Sequence, residues 1–154
     1  MLDLADVDIN WLAAAIDFEG SLCLFKDKHS HCCRGFSWVP KLQIGNVNKE
    51  ILNHCKGITK SGAISGGGIY KNHWRPVWYW QVCSNGLREL LPLVLPFLIV
   101  KKRHAELLIE ALDLLKEHWG NQYHTKLPND LRLQEIEVEI KSLNMKGRGH
   151  NKEC

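Results

Sequence analysis

The sequence predicts one domain of the α+β class, carrying a four-stranded, largely antiparallel sheet. Two observations predict it. Segments of helical spacing and short alternating runs follow one another in the order helix, strand, strand, helix, strand, strand, then helices (αββαββα, with helices to follow). No Gly/Ser/Pro-rich linker and no internal repeat divides the 154 residues, which suffice for one real core. The helices must cover one face of such a sheet, which leaves the other free to meet a ligand.

Asp8 or Asn10 is placed to cap a first helix running through Trp11 to about Phe18, and Gly20 ends it. Ser21 to Phe25 alternates as a strand. Lys26 to Gly35 is a charged, His- and Cys-rich connection, and Phe36 to Gly45 returns as the second strand of a long hairpin. Asn48 to about Lys56 spaces Ile51, Leu52 and Cys55 as a short amphipathic helix. Gly62, Gly66, Gly67 and Gly68 mark a third strand with loop or bulge character. Trp74 to Ser84 reads as the fourth strand, with Pro76 near its start. A short helix is expected from Leu87 to Leu95, ending near Pro96. A long one is expected from Phe97 to His118, with Leu107, Leu108, Ala111, Leu112 and Leu115 on one face. Leu127 opens a last helix that runs to about Leu143. The domain is expected to occupy 1–145, with 146–154 a polar, disordered tail.

Composition narrows the function classes modestly. A net charge of +3 and a pI near 8.5 permit a nucleic-acid partner without demanding one. Six cysteines lack a CxxC pair, and the start MLDLADVDINWL has neither the basic residues nor the apolar run of a secretory signal. The cysteines therefore read as reduced thiols of an intracellular protein, in an organellar matrix or the cytoplasm. The apolar stretch Leu90 to Val100 contains two prolines and is too short to span a bilayer, so no membrane association is expected.

The informative segment is LAAAIDFEG, Leu12 to Gly20. It resembles the LAGLIDADG motif: Leu12, Ala13, Ile16, Asp17 and Gly20 are identities. Ala14 stands for Gly, Ala15 for Leu, Phe18 for Ala, and Glu19 for the second Asp, which keeps the carboxylate. The rest of the chain follows in order. Gly20 to Leu22 matches the G-S-[FIL] strand start, and Leu42 to Leu52 resembles the second strand and following helix. Gly62 to Ile64 resembles G-x-I, Trp80 to Val82 the fourth strand, Pro96 to Ala105 the segment P-x-L-x-x-K-x-x-x-A, and Leu143 to Gly147 the L-N-x-x-G ending. By this resemblance the chain is identified as similar to the single-motif, homodimeric LAGLIDADG homing endonucleases.

The resemblance implies a fold, a reaction and a set of residues. The fold is the LAGLIDADG one, with a DNA-binding sheet. The reaction is metal-dependent phosphodiester hydrolysis in double-stranded DNA, at a long, near-palindromic site, as in intron-encoded members. Mg2+ is the implied cofactor, for which other divalent cations could substitute. Glu19 would ligate it through its carboxylate and Phe18 through its backbone carbonyl; a hard cation suits such oxygens. Lys101 matches a basic residue of the active site, able to stabilise phosphate charge, and otherwise is a surface lysine at a helix start. Asn46 matches a water-orienting polar residue, or is a turn-forming Asn. Asp17 matches a position that holds the helix end by hydrogen bonds. Leu12, Ala13, Ala14 and Ile16 would pack the motif helix against that of a second copy, the small residues allowing close approach. With one motif per chain, each copy holds half the catalytic centre.

Strand alternation supplies the expected DNA surface. Ser37, Lys41 and Gln43 share a face of the second strand with Val39, whereas Trp38, Leu42 and Ile44 fail to fall neatly on the other because Pro40 intervenes. On the fourth strand Arg75, Tyr79 and Gln81 stand opposite Trp78, Trp80 and Val82. Ser65 and Lys71 join from the third strand. Side chains of this kind reach base edges in the major groove. Lys26, Lys28 and Arg34 flank the hairpin tip and suit phosphates, or are solvated loop charges. The run His29 to Cys33 also invites zinc, although adjacent spacing is poor for one tetrahedral ion. The main alternative function is an RNA maturase, or a cleavage-deficient DNA-binding protein, of the same fold.

Overall fold

The structure is a computed structural model and describes residues 5–30, 33–68, 75–117 and 127–146. Helix α1 spans Asp6–Glu19 and starts earlier than expected, with Ala5 at the N-cap position and no side-chain cap. Asp6 and Asp8 lie in its first turn, where carboxylates complement the helix dipole. Asn10 is not a cap; its Nδ2 donates to the Asp6 carbonyl at 2.8 Å inside the helix. Ile9, Leu12, Ala13 and Ile16 form the buried stripe. The chain then passes directly from helix to strand at Gly20. A Cβ there would lie 2.4 Å from the Ile16 carbonyl oxygen, which leaves room for glycine alone.

Strand β1 (Gly20–Lys28) pairs antiparallel with β2 (Phe36–Asn46), from Gly20 opposite Ile44 to Lys28 opposite Phe36. Helix α2 (Lys49–Thr59) follows, capped by the Asn48 side chain, which accepts from Glu50 N. Strand β3 (Ala63–Gly66) and β4 (Trp78–Cys83) complete an antiparallel sheet of order β1-β2-β4-β3. On β2, Trp38, Pro40, Leu42 and Ile44 are all buried on one face. Pro40 is thus part of the core alternation rather than an interruption of it. It stands opposite Leu24 of β1 and lies just beyond the last β2–β4 pair, Lys41 with Cys83, where β2 is paired on one side only.

The fourth strand is shorter than expected, because Arg75–Val77 are not in the strand and Ser84 already opens α3 (Ser84–Val94). A single 3-10 turn, Leu95–Phe97, comes next. Helix α4 then spans Lys102–Lys116, starting five residues later than the expected Phe97. The reason is tertiary: the Asp17 carboxylate accepts from the backbone N–H groups of Ile99, Val100 and Lys101, which holds that segment out of the helix. Helix α5 (Asp130–Lys146) runs to the residue that was expected to begin the tail; 147–154 lie outside the described residues.

The core lies between the sheet and the helices. Leu12 and Ile16 of α1, Leu22 and Leu24 of β1, Trp80 of β4, and Leu107, Leu108 and Leu112 of α4 are all almost fully buried in it. Cys23, Cys33, Cys55 and Cys83 are free thiols. Among the described residues, no helix is long and apolar enough to cross a membrane.

Candidate nucleic-acid interface and cation site

One end of the sheet collects the candidate catalytic residues. Asp17 Oδ2 accepts from Ile99 N at 2.8 Å, and Oδ1 accepts from Val100 N at 3.1 Å and Lys101 N at 2.8 Å. This clamp ties Lys101, the N-cap residue of α4, to the last turn of α1. Glu19 ends α1 and is exposed, as is Phe18. Gly20 pairs with Ile44, so Asn46, two residues further along β2, emerges at the same end. Asn46 Oδ1 accepts from Asn48 N at 2.8 Å, which shapes the turn into α2.

The α1 terminus carries two oxygen donors, the Glu19 carboxylate and the Phe18 carbonyl. Its last-turn carbonyls form the negative end of the helix dipole, and that turn holds no basic residue. The Glu19 carboxylate and the Phe18 carbonyl are hard oxygen donors of the kind Mg2+ or Ca2+ prefers. Their number is small: no group of three His, Cys, Asp or Glu able to hold a metal exists among the described residues. A divalent cation at Glu19 would complete its shell with water, substrate oxygens or a second copy. His31 and Cys32, half of the zinc hypothesis, lie outside the described residues.

The sheet face opposite the helices carries a second feature. Register places Ser21, Gln43, Gln81 and Ala63 in one row across the four strands. Gln81 Nε2 donates to Gln43 Oε1 at 3.2 Å, so the two amides are held as a pair. The adjacent row is Cys23, Lys41 and Cys83, and the row on the other side is Gly45, Tyr79 and Ser65. The Tyr79 ring lies over Gly45, where a Cβ would meet it at 2.8 Å. Burial raises both the Cys23 and Cys83 thiols, with Lys41 opposing, so the row presents neutral thiols and one cation. Lys41, Gln43, Ser65, Tyr79 and Gln81 are therefore gathered on one surface.

Three of the expected DNA contacts are elsewhere. Lys26 shares the inward face of β1 with Leu22 and Leu24; its Nζ reaches Gln134 of α5 and lies 4.9 Å from the ring centroids of Phe36 and Trp38. Arg34 is half-buried, with its side chain only 7% exposed against α5, where it pairs with Asp130 at 2.6 Å and stacks on Phe36. Burial alone would raise the Asp130 carboxyl. Hydrogen bonds from Trp38, Leu127 N and Arg34 outweigh it and hold the group below its ordinary value. Ser37 lies on the open side of the strand but is only 2% exposed, and its Oγ lies 3.0 Å from His29 Nε2. These three build the hairpin rather than its surface. Lys28 is exposed at the end of β1, and Arg75 is exposed before β4, beside the start of α2. Lys71 lies outside the described residues.

The expected dimer contacts also divide. Leu12, Ala13 and Ile16 are 0–1% exposed and pack into their own core, so they have no surface left for a partner. Ala14 is exposed, in an outer stripe with Val7, Trp11 and Phe18, which are 78%, 36% and 85% exposed. Their spacing of four, three and four residues puts them on one side of the helix.

No family model matches the sequence, and no curated protein is similar to it. Solved structures are. The homing endonuclease I-CvuI, in complex with DNA in the presence of Mg, superposes with a TM-score of 0.72 over 96% of this chain and 86% of that one, at 15% identity. An archaeal intron-encoded homing endonuclease, I-Vdi141I, complexed with DNA, gives 0.72 over 97% and 90%, at 22% identity. The LAGLIDADG homing endonuclease I-SmaMI, bound to cleaved DNA, gives 0.65 over 90% of this chain and 44% of that one, at 22% identity. The fold is the LAGLIDADG homing-endonuclease fold.

Within this LAGLIDADG fold, sequence reasoning missed several residues that the surface presents. Val7, Trp11 and Phe18 carry the outer stripe of α1, and their spacing was a readable signal. Cys23 and Cys83 flank Lys41 on the open sheet face, as strand alternation from Lys41 and its register partners implies. Nothing in the sequence marks Ile99 and Val100, exposed apolar residues whose backbone the Asp17 clamp holds at the end of α1.

Proposed function

We propose that this chain is a site-specific double-stranded DNA endonuclease that acts as a homodimer with a divalent cation. The observation that carries the reading is the Asp17 clamp, which ties the backbone of Lys101 to the last turn of α1, two residues before Glu19 and next to the sheet end where Asn46 emerges. Lys41, Gln43, Tyr79 and Gln81 can meet base edges and phosphates along a duplex laid on the sheet. Lys101, fixed through its backbone, offers its ammonium to a phosphate at the sheet's end. Glu19 and the Phe18 carbonyl would hold Mg2+, for which another divalent cation could substitute. When bound, such an ion acidifies water and offsets phosphate charge. Solved neighbours of the fold crystallised with Mg and with Ca support divalent-cation use.

A second copy completes the scheme. Among the described residues, Val7, Ala14 and Phe18 leave an exposed apolar face on α1, flanked by Trp11, whose ring packs edge-on against His54 at 4.5 Å, and Ala14 allows a close helix approach. Pairing it with its symmetry mate brings two Glu19 residues to one seam, one for each DNA strand. A two-fold dimer reads a near-palindromic site. The reading is tested by incubating purified protein with Mg2+ and a library of long duplexes, then sequencing the cut ends. Cleavage of both strands at a near-palindromic site supports it. Tight binding of one duplex without cleavage under any divalent cation would overturn the endonuclease and favour a binding protein or an RNA maturase.

A further inference from the structure

One buried titratable group has no place in that scheme. His104 sits in the first turn of α4 and is 5% exposed, and neither of its ring nitrogens has a hydrogen-bond partner among the described residues. Burying an imidazole with both nitrogens unpaired is unfavourable, so a native structure that keeps one calls for a reason. Its surroundings are specific. Lys101 stands three residues earlier on the same helix side. Asn144 of α5 lies beside the ring and donates its Nδ2 to the Leu22 carbonyl at 3.5 Å. Burial first, and Lys101 second, disfavour the protonated ring, while Asn144 favours it slightly, so the imidazole is held below its ordinary value. Among the described residues of α3, α5, β1, β2 and the 3-10 turn, no further charged group acts on it.

We propose that His104 is a positioning residue that couples docking of a DNA phosphate at Lys101 to the uptake of one proton. A phosphate paired with Lys101 offsets the charge that opposes protonation and adds negative charge near the ring. The proton comes from the buffer and binds whichever ring nitrogen is unprotonated; no covalent bond to DNA forms. The resulting imidazolium adds a second positive charge near Lys101, and the phosphate attracts both. Reciprocity requires the converse: the duplex binds more tightly once His104 is protonated. The inference rests on the reading above that Lys101 faces DNA.

The sign follows from the two midpoints. Phosphate docking raises the His104 midpoint above that of the free protein. Proton uptake occurs between the two, and affinity grows as pH falls through that window. Each linked proton changes Kd by at most about tenfold per pH unit.

The test uses the full chain and a duplex of about 30 base pairs of mixed sequence, without divalent cation, because phosphate contact is largely sequence-independent. NMR follows the His104 imidazole from pH 5 to 8, with and without duplex, in wild type and in Lys101→Met. The expected result is a midpoint that rises in Lys101→Met, and that rises on adding duplex to wild type. Fluorescence anisotropy then gives Kd against pH for wild type and His104→Gln, a polar replacement that cannot take up the proton. The other histidines contribute equally to both, so the wild-type slope should exceed the variant's within the window. Should His104→Gln fail to fold by circular dichroism, calorimetry of wild type in buffers of differing ionisation enthalpy measures the proton uptake instead. Duplex binding with equal slopes, or a His104 midpoint that ignores both duplex and Lys101→Met, would overturn this proposal and leave the proposed function standing. No measurable duplex binding by wild type would overturn both.

Discussion

Replacing Asp17 should injure stability and catalysis together, because one carboxylate clamps three backbone N–H groups of a segment more than eighty residues away, at 2.8, 3.1 and 2.8 Å. A hydrogen bond to a charged group contributes about 1.5–3 kcal/mol when sheltered. The clamp is partly exposed, so solvent screening lowers each bond toward about 1 kcal/mol. Asp17→Ala, which removes all three, should cost about 2–3 kcal/mol in urea unfolding. Asp17→Asn keeps one acceptor oxygen and should cost roughly half as much. Both should also release Lys101 from α1, and a misplacement of about 1 Å in a catalytic group can lower a rate by about 100-fold. Cleavage is assayed at saturating duplex to separate rate from binding. An Asp17→Asn protein with wild-type unfolding midpoint and wild-type cleavage would refute the clamp as the device that positions Lys101.

Three further outcomes follow from particular residues. Ala14→Glu puts a charge on the outer stripe of α1 while leaving the buried stripe intact; its folding should change by only about 0.5 kcal/mol, but sedimentation should show a monomer where wild type is a dimer. Unchanged dimerisation would move the interface elsewhere. Lys41→Ala should lower the slope of log affinity against log salt by about 1, whereas Arg34→Ala should leave that slope alone and cost about 2–3 kcal/mol of stability, since its ion pair with Asp130 is buried; the reverse pattern would return Arg34 to the DNA surface. Stability should fall in two stages on acidification. The buried His104 takes its proton less readily folded than unfolded, so its contribution is complete above the ordinary pH 6.5 and is lost as pH falls below that. The depressed Asp130 contributes above its ordinary 3.8 and is lost as pH falls toward its folded value. Urea midpoints of wild type and His104→Gln check the first stage, which the variant should lack.

Local physics made most of the fold legible. The hairpin β1–β2, the amphipathic helix α2 and the inward set Trp78, Trp80 and Val82 follow from alternation and helical spacing alone. What escaped depends on distant partners. The run from Phe97 to Val100 looks like continuing helix until Asp17, far away in sequence, captures its N–H groups. Arg34 looks like a loop cation until α5 brings Asp130 over it. Lys26 was misplaced by its charge rather than by its spacing: it follows Leu22 and Leu24 on the inward side, and aromatic rings accept its ammonium there. Helix α1 is apolar on two sides, so composition could not say that Leu12, Ala13 and Ile16 serve the core while Ala14 faces out. The candidate site was legible as residue types, with Glu19 at a helix end and Lys101 before another, but its assembly through the Asp17 clamp was not.

Glu19 carries the central claim, and one paired measurement on it is the most direct test. Glu19→Gln removes the carboxylate charge at the α1 terminus but leaves the open sheet face and the outer stripe untouched. On the duplex selected from the library, with Mg2+, wild type should cut both strands. The variant should bind with affinity within about threefold of wild type, yet lose cleavage by about 1000-fold or more. Cleavage by Glu19→Gln at the wild-type rate would contradict the assignment of the α1 terminus as the catalytic centre.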